Sequence, residues 1–146
     1  MSPADQLQAL LDTSPTPVEA LTDFYDGLPA VAEADMLGAW TGGVFATGHP
    51  GESQLDMLGW VGKTFRSRDD VDPIVRLDEA GERVANPVLG TASLREVTHR
   101  GVTTATMVYD KQPIFDHFRR VDGETVLGWM DRKGEDVALF FYLRRV

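Results

Sequence analysis

The chain contains no cysteine, which removes disulfide frameworks, thiolate nucleophiles and zinc-thiolate centres from consideration. It also lacks an excess of positive charge. Its 14 Lys and Arg stand against 23 Asp and Glu, a formal charge of -9, which repels phosphate backbones and anionic bilayer surfaces. Nucleic acid and membranes are therefore not expected partners. No stretch approaches the ~20 apolar residues that cross a bilayer. The opening MSPADQLQALLDTSPTP has neither the basic start nor the apolar run of a secretory signal, so a cytoplasmic protein is expected. Motifs are equally sparse. GxGxxG, GxxxxGK[ST] and GxSxG are missing, which leaves nucleotide binding and serine hydrolysis unsupported. The histidines number three, and none has HExxH spacing or a carboxylate at a ligand interval, so no dedicated metal site is expected.

What is present fits one domain over residues 1–146, since 42% hydrophobic residues can build one core at this length. Residues 1–34 read as helical. Leu7, Leu10 and Leu11 recur at helical spacing, and Thr16-Pro17-Val18-Glu19 offers a cap, a first-turn proline and a capping-box glutamate before Leu21 and Tyr25. Residues 35–90 begin with a glycine-broken strand at 37–47, where missing side chains permit a bend or a close approach. Residues 53–68 look helical in their first half, SRDDVDP reads as a surface loop, and a short strand follows at 74–77. Residues 91–146 carry five strands, at 93–100, 102–109, 114–121, 125–132 and 137–146, separated by hairpin-type turns.

The expected fold is therefore α+β and mainly β: a curved or closed antiparallel, barrel-like sheet capped by N-terminal helices. Alternation places Ala105, Met107 and Tyr109 on one side of their strand, with Ile114, Asp116 and Phe118 on one side of the next. Both sides of these strands carry apolar groups. Such mixed faces fit a barrel whose interior is part core and part polar-studded cavity, or a sheet whose outer side is partly covered by helices. The cavity reading requires an interior not packed solid by Trp40, Trp129, Phe118 and Phe140.

Several short motifs in one order resemble the GXWXG family: Gly38-Ala-Trp40-Thr-Gly42, Thr-Gly-His-Pro at 47–50, Trp60-Val-Gly-Lys63-Thr-Phe65, Thr104-Ala-Thr-Met-Val-Tyr-Asp110, Pro113-Ile-Phe-Asp116 and Gly128-Trp-Met-Asp131. The resemblance runs from about Asp35 to Arg145. It implies a GXWXG domain followed by a companion domain of unknown function, and it assigns no activity. The same glycine-flanked tryptophan is similar, over one motif, to nitrobindin and lipocalin-like barrels, whose fold does not transfer a function.

Two functional classes follow. In the first, a small apolar or aromatic molecule is held in an internal cavity walled by Trp40, Trp60, Met107, Phe118 and Trp129, with Lys63 and Tyr109 as polar contacts beside Asp116 or His117. Trp40 also reads as a core plug filling the volume its glycines leave. In the second, a cofactor-independent lyase or isomerase acts on an apolar carbonyl compound. Asp116 or Asp110 is then the base, His117 or His49 the acid, and Lys63 or Tyr109 the oxyanion donor. The set Tyr109, Asp110, Asp116, His117 and Arg119 is expected to crowd around the Lys111-Gln-Pro113 turn, although ion pairs and turn contacts account for it equally. His49 also reads as a turn histidine, and His99 as solvated. No cofactor is expected; heme through His117 is the lesser alternative. A homodimer through a free strand or the helical N-terminus is compatible with the chain.

Overall fold

The computed structural model describes residues 1–146. Local signals set its turns. Arg100 and Gly101 have φ of 52° and 79°, the pair of positive values that a tight two-residue hairpin demands. Arginine is a costly occupant of that region. It is held there by a two-pronged ion pair to Asp26, with Nε and Nη2 at 2.6 and 2.7 Å from its carboxylate oxygens, and by stacking over Trp129.

The strands are β1 (Gly38–Val44), β2 (Gly62–Ser67), β3 (Asp70–Leu77), β4 (Arg83–Ala85), β5 (Ala92–His99), β6 (Val102–Tyr109), β7 (Ile114–Asp122), β8 (Thr125–Arg132) and β9 (Leu139–Arg145). Eight of them close into an antiparallel barrel in the order β2-β1-β9-β8-β7-β6-β5-β3, with β3 returning to β2 and β4 paired outside on β3. The seam between β3 and β5 is thin, a single register pair of Val71 with Ala92. Between β6 and β7 the pairing covers only Thr106–Val108 opposite Phe115–His117. Beyond it the strands splay, and residues 29–31 fill the gap: Ala30 bridges Arg119, and the carbonyls of Pro29 and Val31 accept from Arg120 and Ala105.

Three helices attach to this barrel: α1 (Pro3–Leu11), α2 (Val18–Asp26) and α3 (Pro50–Met57). Ser2 and Asp5 form a capping box at the start of α1. The expected cap at Thr16 does not form. Pro17 occupies the cap position of α2 without a side-chain bond, because the Thr16 hydroxyl is turned back to donate to the carbonyls of Leu10 and Thr13. The middle segment is helical in its first half, as expected, although α3 starts earlier, at Pro50, and stops at Met57; residues 62–67 form a strand. One further expectation is corrected. The acidic SRDDVDP segment contributes residues 70–73 to β3, where the register slips between Gly62 and Thr64 of the partner strand, an irregularity that accommodates Pro73.

Two apolar clusters result. One lies inside the barrel around Trp40, Phe65, Met107, Phe118, Phe141 and Leu143. The other lies between the outer wall and α1 and α2, around Leu7, Tyr25, Phe45, Leu127 and Phe140, with Trp129 packed on its margin. Mixed strand faces are thus explained on both counts: one apolar face fills the barrel, the other receives the helices. Gly128 shows how tightly the interior is built, for a Cβ there would come within 2.2 Å of Cζ of Phe141.

Candidate functional site

At one end the barrel is sealed. Trp40 is fully buried, its Nε1 donates to the Met36 carbonyl at 2.8 Å, and the guanidinium of Arg145 lies 4.3 Å from its ring while bonding the carbonyls of Leu37 and Asp35. Above this plug, Phe65, Phe118, Phe141 and Trp60 meet edge to face with centroids 5.8 to 5.9 Å apart, an arrangement aromatic rings favour. Trp40 is therefore the core plug, and the interior is filled at this level.

The other end is open. A cavity of about 370 Å³ lies between α3 and the barrel rim, lined by Leu55 and Leu58 of the helix region and by Leu89, Tyr109, Ile114 and Met130. Gln54, Gln112 and Arg132 stand among its polar borders. α3 is fixed over this mouth by its cap. His49 Nδ1 accepts from the Gly51 N–H at 2.9 Å, Glu52 accepts from the His49 N–H at 3.0 Å, and His49 Nε2 meets Glu135 at 3.2 Å. A histidine ring here replaces the usual Ser or Asp of a capping box. His49 is thus occupied in holding the helix, by accepting from an amide rather than donating to a carbonyl.

Beneath the cavity lies an ion pair. Asp116 projects inward two residues along from Ile114 and directly across from Met130, so it sits one step below the cavity wall. Lys63, from β2, reaches it with Nζ 3.2 Å from Oδ2; the side chains are only 3% and 2% exposed. Nζ also donates to the Pro73 carbonyl at 3.1 Å. The aromatic rings of Phe141, Trp60 and Tyr109 surround it at 5.2, 5.6 and 5.8 Å, close enough for cation–π attraction. Burial pushes the Asp116 carboxyl up and the Lys63 ammonium down, and the contact between them opposes both shifts. Tyr109 is raised well above the ordinary phenol range by burial and by the nearby Asp116 charge, so its hydroxyl stays protonated. Two polar atoms here have no partner: Asp116 Oδ1 and Trp60 Nε1. A buried acceptor or donor left unmade costs roughly 1–3 kcal/mol.

The expected crowd around the Lys111-Gln-Pro113 turn is divided by the barrel wall. Tyr109 and Asp116 face inward, while Asp110 is exposed and accepts from the hydroxyls of Thr91 and Ser93 at 2.7 and 3.0 Å. His117 and Arg119 face outward, toward α2. Arg119 Nη1 donates to the carbonyls of Tyr25 and Leu28 at 3.1 and 2.9 Å, a cation at the end of a helix where the dipole favours it. Trp129 likewise lies on the outer face, 5.1 Å from Tyr25 and 5.0 Å from Phe140. Met107 and Phe118 line the interior below the cavity.

His99, read from sequence as solvated, is partly buried and stacks on His117 with ring centroids 3.8 Å apart and planes within 7°. His117 Nδ1 pairs with Thr106 Oγ1 at 3.0 Å and Nε2 with Asp131 at 3.1 Å, so an iron at either nitrogen would displace a bond already made. His99, His117 and Asp131 bring ligand atoms within 4.8 Å of one another, a grouping the sequence did not reveal. The rings are nearly parallel, however, and a metal must lie in the plane of each imidazole that binds it; two stacked planes do not meet on one ion. Burial, then the neighbouring His117, pushes the pKa of His99 down to about 4, and burial likewise lowers His117.

Sequence reasoning missed Leu55, Leu89 and Met130 as cavity walls. For Ile114 the signal was available, since it alternates onto the face of Asp116. A shallower groove of about 410 Å³ between α1 and α2 is lined by Met1, Leu10 and Phe24; none of the unbonded buried polar atoms belongs to it.

Residues 23–81 match the model for GXWXG protein, and residues 90–145 match a domain of unknown function, DUF4334. No protein of curated function matches the chain. A crystal structure of a protein from Thermomonospora curvata is similar over 88% of this chain and 86% of that one, with 43% sequence identity and a TM-score of 0.85.

Proposed function

The chain belongs to the GXWXG family, with DUF4334 as its C-terminal partner, and from that premise we propose that it binds a small, largely apolar molecule at the mouth of its barrel. The carrying observation is the cavity of about 370 Å³, apolar on most of its wall and set above a buried, incompletely bonded polar pair. That size and that mixture of surfaces suit a small-molecule pocket. The walls are Leu55, Leu89, Tyr109, Ile114 and Met130, with Trp60 and Lys63 behind them. Met107 and Phe118 support the floor rather than touch the ligand, and Trp40 and Trp129 lie elsewhere.

Titration with the apolar dye N-phenyl-1-naphthylamine tests this. Fluorescence enhancement with saturable binding is expected, and Leu89→Trp, which fills the cavity, should weaken it at least tenfold while far-UV circular dichroism is retained. Dye binding indifferent to that change would refute the pocket.

A second reading is supported by the same ion pair: a cofactor-independent lyase or isomerase in which Asp116 removes a proton and Lys63 or Tyr109 stabilises the oxyanion formed. The outward-facing His117 and the helix-capping His49 are poorly placed to act as its acid, so that role would pass to Tyr109. On this reading Asp116→Asn abolishes turnover of an apolar ketone and leaves dye affinity within about tenfold, because a general base contributes ~10² to 10⁴ in rate.

A further inference from the structure

The unbonded atoms below the cavity describe the polar end of what enters it. Both border Lys63: Asp116 supplies the carboxylate that pairs with Nζ at 3.2 Å, and Trp60 the ring 5.6 Å away. Asp116 Oδ1 needs a donor, and Trp60 Nε1 needs an acceptor. An indole nitrogen can only donate and an ionised carboxylate can only accept, so a ligand group that only donates or only accepts cannot satisfy both. A carbonyl or ether would serve Trp60 and leave Asp116 bare. A hydroxyl, which donates once and accepts through its lone pairs, serves both.

Charge points the same way. Lys63 and Asp116 already neutralise each other within an apolar wall, so a ligand carboxylate would bring a second negative charge against the uncovered Asp116 oxygen. A ligand cation would be set against the Lys63 ammonium, which already pairs with Asp116 at 3.2 Å and repels a second positive charge. Either charge would also have to be stripped of water, at a cost that a neutral group escapes. Asp116 and Trp60 lie behind the cavity wall, so a ligand reaches them by displacing Met130, which faces the cavity and lies directly across from Asp116; its unbranched thioether repacks easily.

Building on the pocket reading, we infer that the ligand is a neutral, apolar alcohol or phenol whose hydroxyl donates to Asp116 and accepts from Trp60. The apolar body fills the space beneath α3, and the single hydroxyl is inserted between the two orphaned atoms.

A matched series tests it by isothermal titration calorimetry on the full chain: menthol, menthyl methyl ether, p-menthane and the corresponding menthane carboxylate. Menthol should bind at least tenfold more tightly than the ether and the hydrocarbon, since only its hydroxyl makes a hydrogen bond to a charged group. Trp60→Phe, which keeps an aromatic ring and removes the N–H, should shrink the preference for menthol over p-menthane, read as the ratio of the two affinities within the same variant. Equal affinities of menthol and p-menthane would overturn the hydroxyl assignment and leave the pocket standing. So would a carboxylate that bound best, which would make Lys63 an anion anchor, or a preference that survived Trp60→Phe. If none of the series binds and the naphthylamine dye also fails, the pocket reading itself falls.

Discussion

The two sides of β7 treat polar side chains in opposite ways. Outward, toward α2, His117 has both ring nitrogens bonded, and Arg119 bonds two carbonyls while its guanidinium lies 4.5 Å from the ring of Tyr25. Tyr25 in turn bonds His99 and the His117 carbonyl. One nitrogen of this outer set, Arg119 Nε, lacks a partner, on a group that ties the helix down through Nη1. Inward, Asp116 is equally buried, yet one of its two oxygens is unbonded beside a second orphan on Trp60. The outer cluster is a fastener whose partners are part of the fold. On the proposed reading the inner pair is a receptacle, completed by the ligand's hydroxyl. Polar satisfaction, more than residue type, separates the two roles.

The strongest way to break that contrast is to remove one member of the inner pair. Lys63→Met leaves a buried, unpaired carboxylate, and denaturant unfolding should show a loss of about 3–5 kcal/mol, the range typical of breaking a buried ion pair. The double change Lys63→Met with Asp116→Leu should recover most of that loss and also abolish the preference for an alcohol. If the single variant is as stable as wild type, the pair is not buried as described.

Much of this was legible in the sequence, and unevenly so. The last five strands were readable because alternation and turn residues agree locally, as at Arg100-Gly101. Period two alone puts Met107 with Tyr109, and Asp116 with Phe118, on one side of their strands; which side turns inward was not legible, because both carry apolar groups. What failed was long range. The strand at Gly62–Ser67 was hidden because Leu55, Leu58 and Val61 prolong a helical spacing beyond Met57. Asp70-Val71-Asp72-Pro73 has a loop composition, but β2 and β5 on either side supply the pairing that its propensity does not. Lys63 and Asp116 were each visible as candidates, but their meeting depends on barrel closure, which brings β2 opposite a strand that follows it by fifty residues or so in the chain. The stack of His99 on His117 depends likewise on the order of β5, β6 and β7 around the ring.

That stack gives the next test, and its sign can be worked out. His99 has a folded pKa of about 4, below the ordinary histidine value of about 6.5, so the unfolded chain binds the proton more readily. Stability contributed by neutral His99 is thus present above pH 6.5 and is lost as pH falls from 6.5 toward 4. His117, also lowered, acts in the same direction. The facing groups are Tyr25, His117, Asp131, Arg100 and Arg119, of which only Asp131 opposes the shift. Because carboxylates titrate nearby, the measurement is a difference: the denaturant midpoint of wild type relative to His99→Gln should decline steadily over that interval. A constant difference would mean that His99 is solvated, as the sequence alone suggested.

The smallest effect sharpens the comparison most. Thr106→Val keeps the shape of a buried outer residue and removes the hydroxyl that pairs with His117 Nδ1 at 3.0 Å and donates to the Thr104 carbonyl at 3.1 Å. Stranding one imidazole nitrogen should cost about 1–2 kcal/mol of stability. Thr106 is on the strand face opposite Met107, so the cavity is untouched, and affinities for menthol and for the naphthylamine dye should stay within about twofold of wild type. Trp60→Phe should do the reverse, changing ligand preference with little effect on unfolding. If Thr106→Val altered ligand preference as much as stability, the outer cluster would be coupled to the pocket through the wall of β6 and β7, and the division between fastener and receptacle would have to be abandoned.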